Sequence, residues 1–287
     1  MKLIVPNYYE NFKCIADRCR HNCCIGWEID IDKETLDFYR QVGGKLGKRL
    51  KEHISPENTP HFILNEQERC PFLNSWNLCD IITQLGEGGL CQICDDHPRF
   101  RNYYSDRIEM GIGLCCEAAG QLILSQQEKV TFSPIRSKDP FFRIRKQVFT
   151  ALQDRSITVE QRLKKMLVLC GSDLDPNLQD WAMFYKNLER LDPAWDQKLE
   201  QIQESSPLPM EWDIPFEQLS VYFAFRHLQP EQLAKRAAFV ALSVKLIAAI
   251  FSAEEKTFNG LVELARLYSS EIEYSDENIE RILDRIT

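Results

Sequence analysis

Four cysteines fall within FKCIADRCRHNCCIGW (12–27): Cys14, Cys19, Cys23 and the adjacent Cys24. They begin a series. Of eleven cysteines in 287 residues, ten lie from Cys14 to Cys116, and only Cys170 lies beyond. The opening MKLIVPNYYENF does not read as a secretory signal, because its short apolar run is broken by Pro6 and Asn7. The chain therefore reads as cytoplasmic, where thiols stay reduced. Reduced cysteines crowded into one region point to metal binding. A disulfide framework and a set of scattered buried thiols are the alternatives.

A thiolate is a soft, anionic ligand, and several at one point suit zinc or an iron–sulfur cluster. Cys70 with Cys79, Cys91 with Cys94, and Cys115 with Cys116 follow the first group. Sulfurs from four separate stretches would staple loops that have few apolar residues of their own. Adjacent cysteines rarely both ligate one metal without strain, so one of Cys23 and Cys24 is expected to be a neighbour. The spacing matches no common zinc ribbon, since only CQIC (91–94) is a C-x₂-C pair. It is not a C-x₃-C-x₂-C either, because Gly26 stands where the third cysteine would fall. Spacing alone leaves iron–sulfur and zinc both open.

The cysteines divide the chain into two regions. Residues 1–125 are loop-rich and are read as a metal-binding region. WEIDID (27–32) alternates like a short strand with Trp27, Ile29 and Ile31 on one face. Asp32 can cap a helix through KETLDFYRQV that stops at Gly43-Gly44. CPFLNSWNLCD (70–80) reads as a tight turn between cysteines, and IEMGIGLCCEAAGQLIL (108–124) as a strand entering a helix. Residues 126–287 read as helices almost throughout. Pro140 sits in a first turn, and Thr158 with Gln161 has capping-box spacing in a helix that stops at Gly171. Further helices fit 177–191, 215–228, 230–251, 260–269 and 275–286. The polar stretch 125–140 is the expected boundary. The fold class is mainly α, a cysteine-rich loop region packed on a C-terminal helical region.

Composition narrows the partners. With 44% hydrophobic and 27% charged residues the chain is an ordinary globular protein. Its net charge of −8 argues against nucleic acid as the main partner. The apolar run 237–251 is too short to span a bilayer and carries Lys245, so no membrane partner is expected. GEGG (86–89) follows no convincing strand, so it reads as a turn beside the cysteines and not as a dinucleotide-type cofactor loop. Asp95, Asp96 and His97 beside Cys94 offer ligands or hydrogen bonds to ligands, against the reading of a plain turn ending at Pro98. Arg99 can hold a carboxylate or stabilise thiolates, against a surface ion pair.

The pattern F-x-C-x₄-C-x₃-C-C-x₂-W, then CPFL with a following L-C, L-G, C-x₃-P-R and a cysteine before E-A-A resembles the flagellin lysine N-methylase family. That family is related to proteins with a cysteine-rich zinc- or iron-chelating domain. The resemblance rests on Phe12, Cys14, Cys19, Cys23, Cys24, Trp27, Cys70, Pro71, Phe72, Leu73, Cys79, Leu85, Gly86, Cys94, Pro98, Arg99, Cys115 and Glu117. It implies Cys14, Cys19, Cys23, Cys24, Cys70, Cys79, Cys94 and Cys115 as metal ligands, with Cys91 and Cys116 as departures. It further implies methyl transfer from S-adenosylmethionine to flagellin lysines, with an iron–sulfur cluster, [4Fe–4S] before zinc. Cofactor-binding is assigned to Arg99 alone, and no catalytic base is identified. A non-enzymatic iron- or zinc-binding protein and a redox protein are the alternatives.

Overall fold

The computed structural model describes residues 1–133, 139–202 and 210–286. Part of the expected boundary, residues 134–138, lies outside the described residues. The chain forms two compact units, one of residues 13–100, the other of residues 1–12 and 101–287. The fold is mainly α, with thirteen α-helices and one three-stranded sheet among the described residues.

The 13–100 unit holds four short helices, α1 (Lys33–Tyr39), α2 (Gly44–His53), α3 (Asp80–Leu85) and α4 (Gln92–Asp96). Asp32 caps α1 by accepting from Thr35 N at 2.9 Å, as its position predicts. The chain does not stay irregular after Gly43-Gly44. Gly44 turns at φ +68° and opens α2, whose Leu46 and Leu50, one turn apart, are buried. WEIDID is extended but makes only an isolated bridge, Asp30 to His61, in place of a strand. Its alternation still holds, with Ile29 and Ile31 buried and Glu28 and Asp30 exposed. CPFLNSWNLCD is a turn, closed by a Leu73–Cys79 bridge and by Asn74 N donating to Leu78 O at 2.9 Å. GEGG is a 3₁₀ turn between α3 and α4.

The core of this unit joins Ile29, Ile31, Tyr39, Leu46, Leu50, Phe62, Phe72 and Ile81 to two thiols, Cys70 and Cys91. Phe62 and Phe72 pack with tilted rings, 5.0 Å between ring centres. Arg49 of α2 lies over the Phe72 ring and donates to Asp80 Oδ2 at 2.7 Å and Pro71 O at 2.8 Å. It thereby ties the segments that begin at Cys70 and Cys79.

The other unit contains strands β1 (Lys2–Ile4), β2 (Arg99–Tyr103, which begins at the unit boundary) and β3 (Arg107–Ile112). β3 is central and pairs parallel with β1, Ile4 opposite Glu109. The strand and helix expected over 108–124 are β3 and α5 (Glu117–Leu124). The remaining helices are α6 (Pro140–Leu152), α7 (Val159–Cys170), α8 (Leu178–Tyr185), α9 (Ala194–Glu200), α10 (Asp213–His227), α11 (Leu233–Ala253), α12 (Phe258–Tyr268) and α13 (Asp276–Arg285). The capping box at Thr158 and Gln161 forms, and Gly171 ends α7 at φ +76°. α8 ends at Tyr185, well short of residue 191, and the chain forms the unanticipated α9 next. α11 is apolar enough to cross a membrane, yet 72% of its most apolar window is buried in the protein. It is the core helix the sequence indicated.

α10 packs against α5, α6, α7 and α11 and is buried on nearly every side. Its polar residues therefore need internal partners. Glu217, fully buried, meets Arg155 at 2.9 Å and Arg162 at 3.2 Å. A π-helical turn, Ser269–Glu273, follows α12 and turns Glu273 inward. There Glu273 accepts from Tyr222 Oη at 2.9 Å and His227 Nε2 at 2.5 Å.

Candidate metal centre

Six thiols of the 13–100 unit interact with one another. Cys23 and Cys24 share a hydrogen bond, as do Cys91 and Cys94. Cys24 also feels Cys70 and Cys79, and Cys94 feels Cys24 and Cys70. Three of the separate cysteine stretches thus meet within one unit. The backbone fixes them there. Cys70 N donates to Cys24 O at 2.8 Å, and Trp27 Nε1 donates to Cys23 O. Trp27 also packs on His97 at 6.2 Å between ring centres. Among the described residues, which include all eleven cysteines, no disulfide is present.

The thiols are poised unequally. Within each hydrogen-bonded pair, one sulfur is stabilised as the anion at the other's expense. Cys23 is lowered by the hydrogen bond from Cys24, which is itself raised. Cys91 is lowered in the same way by Cys94, which is raised. Burial pushes the Cys70 thiol up to about 11, against hydrogen bonds from Phe72 N and Leu73 N that favour its thiolate. Burial likewise raises Cys79, against hydrogen bonds from Ile82 N and Ile81 N. Buried sulfurs circled by amide N–H donors are the surroundings of anionic, metal-bound thiolates. The donor set fits a soft metal or cluster, and Cys23, Cys24, Cys70, Cys79, Cys91 and Cys94 are the residues that would hold it.

The other residues implied by the resemblance stand as follows. Cys14 is exposed, its sulfur accepting from Ala16 N at 3.4 Å. Cys19 is half-buried and donates to His21 O at 3.2 Å. Cys115 belongs to the helical unit, where burial pushes its thiol up to about 12 and a hydrogen bond from the Tyr274 hydroxyl opposes that rise. Arg99 Nη1 donates to Asp95 O at 2.7 Å and so holds the end of α4. Cys91, set aside by the resemblance, is fully buried beside Cys94. The C-x₂-C spacing of CQIC was the signal that marked it.

Two predictions concern the scaffold of this centre. The Asp32 carboxylate accepts from both Thr35 N and Gln92 N at 2.9 Å, tying α1 to the residue after Cys91. Asp32→Ala is expected to cost about 1–2 kcal/mol in urea unfolding and to speed metal loss to a chelator. His97 is held down to about 4 by burial, with the Arg99 guanidinium adding to the effect. The unfolded imidazole titrates near ~6.5, so across that window the unfolded chain binds a proton that the folded chain refuses. The His97 contribution is complete above the unfolded value and is lost as pH falls towards 4. It amounts to at most about 3 kcal/mol. Urea midpoints at pH 7 and pH 4.5 should therefore differ less in His97→Gln than in the wild type.

Fold and thiols together define a mainly helical protein with a group of interacting free thiols in its 13–100 unit. No family model matches the chain, and no solved structure matches it. Among curated proteins, the chain is 26% identical to the lysine-N-methylase of Salmonella choleraesuis (strain SC-B67) over 135 residues, 45% of this chain and 34% of that protein. It is equally similar to the lysine-N-methylase of Salmonella typhimurium. It is also 25% identical to the flagellar biosynthetic protein FliU of Salmonella muenchen over 143 residues, 46% of this chain and 82% of that protein. The chain spans about a third of the length of the two lysine-N-methylases it matches. It is thus a distant relative of proteins named lysine-N-methylase, in keeping with the resemblance of its cysteine pattern.

Proposed function

We propose that this chain acts in the cytoplasm as a protein-lysine N-methylase, moving methyl groups from S-adenosylmethionine to lysines of flagellin, and that its thiols hold an iron–sulfur cluster. The observation that carries this reading is the meeting of six thiols, two of them cradled by amide donors, in a chain whose curated relatives are named lysine-N-methylase. The flagellar name of a third relative supports the substrate.

The donor spacing favours a cluster over a single ion. Zinc–sulfur bonds of about 2.3 Å at tetrahedral angles place sulfurs about 3.8 Å apart. Among the described residues, no three thiol sulfurs lie within 4.8 Å of one another. A cluster interposes its own iron and sulfide and spans a wider gap. When bound, it would fasten loops that share only a small apolar core. Its ligands are drawn from the six interacting cysteines, and the family pattern adds Cys14, Cys19 and Cys115.

Methyl transfer forms an N–C bond as the sulfonium S–C bond breaks, giving S-adenosylhomocysteine. The ε-amine must be neutral to attack, so it gives up its proton beforehand. Arg99, just past the helix that carries Cys94, is our candidate for holding the S-adenosylmethionine carboxylate.

Anaerobically purified protein incubated with methyl-labelled S-adenosylmethionine and flagellin tests the activity. Label in flagellin lysines supports the reading; iron-loaded protein that transfers none refutes it. A second reading, a non-enzymatic iron- or zinc-binding protein, is favoured by one observation. The similarity covers only 34% of each lysine-N-methylase, so the shared part can be a metal-binding one.

A further inference from the structure

The alternation of WEIDID leaves Glu28 and Asp30 on a face that the thiol centre does not use. His61 joins them there. Asp30 and His61 face each other across an antiparallel bridge, with Phe62 N donating to Ile29 O at 3.0 Å and Ile31 N to Pro60 O at 2.7 Å. On the other side Ser55 N donates to His61 O at 2.9 Å. The imidazole is therefore carried by backbone held on both edges, while Ile29 and Ile31 anchor the acidic segment in the core. One ligand atom from each of Glu28, Asp30 and His61 lies within 4.8 Å of the other two.

The tautomer of His61 gives this cluster its meaning. Nδ1 lies 3.0 Å from Thr59 O, and a carbonyl oxygen only accepts, so Nδ1 carries the hydrogen. In the neutral ring, Nε2 then presents its lone pair 3.5 Å from Glu28 Oε2. Two electron-rich atoms face each other with a second carboxylate nearby, an arrangement that a bound cation satisfies at all three atoms, whereas a proton on Nε2 would pair it with Glu28. An Nδ1–H bonded to a backbone carbonyl, with Nε2 turned to the ion, is also how metal-binding histidines are oriented.

We propose that Glu28, Asp30 and His61 form a second metal site, separate from the thiols, that takes one divalent first-row ion of the manganese or ferrous type through one nitrogen and two carboxylate oxygens. Hard oxygens with a single imidazole suit such ions better than the soft metals the cysteines select. Glu28 and Asp30 are exposed, so the remaining coordination positions are open to water or to a ligand.

Manganese is the probe, because thiolates compete poorly for it. The full chain, with its native metal complement, is titrated with Mn²⁺ and followed by electron paramagnetic resonance. The expected result is one saturable site per chain, with nitrogen modulation from one imidazole. His61→Ala should remove the nitrogen signal, and Glu28→Gln and Asp30→Asn should each weaken binding by at least roughly 10-fold, the low end of what losing a mere support of a ligand costs. All three positions lie at the surface or edge of the fold, and circular dichroism checks that the variants stay folded. Absence of saturable Mn²⁺ binding, or binding and nitrogen signal unchanged in the variants, overturns the proposal.

Discussion

Cys70→Ser is expected to empty the metal centre. Cys70 is buried in the core of the 13–100 unit, next to Phe72, with amide donors from Phe72 and Leu73 on its sulfur. Serine keeps the shape but replaces a soft anion with a hard neutral hydroxyl, which holds iron poorly. Iron should fall from about four atoms per chain to less than one, and the visible charge-transfer absorbance should vanish. Cys91→Ser should do the same, because Cys91 is fully buried in hydrogen-bonded contact with Cys94. Cys170→Ser should keep its iron, since that thiol is buried at the end of α7. Full iron retention in both Cys70→Ser and Cys91→Ser would contradict the assignment.

Glu217→Ala should be the most damaging single change to the helical unit. Glu217 is fully buried and meets both Arg155 and Arg162, the latter itself only 2% exposed. Removing the carboxylate leaves the buried Arg162 guanidinium only the more distant and partly exposed Asp213, at 3.6 Å, as counter-charge, at a cost of about 3 kcal/mol, the low end for breaking a buried pair. Denaturant unfolding followed by helical circular dichroism reads this loss. The double variant Glu217→Leu with Arg162→Met, which removes both buried charges, should recover much of it. A loss within about 0.5 kcal/mol for the single change would show that the pair contributes little.

Helix identity was legible wherever caps and apolar periodicity agreed. Asp32, Thr158 and Gly171 act as their positions indicated. α2 escaped notice because GKLGKRLKEH is dominated by charge, and only Leu46, Gly47 and Leu50 are buried. α9 is a single short amphipathic piece held by Trp195 and Leu199. β1 is three residues long and exists through pairing with β3, a contact no local pattern encodes. At the candidate metal centre the cysteines themselves were plain. Which sulfurs meet depended on tertiary placement, as with Cys91 beside Cys94. His61 gave no signal at all, since its partners Glu28 and Asp30 are brought to it by a bridge between distant segments.

The convergence of sulfurs from separate stretches on one inorganic centre is tested most directly by iron and acid-labile sulfide analysis of anaerobically purified protein. About four irons and four sulfides per chain are expected. Protein that is folded, fully reduced and free of both would contradict it.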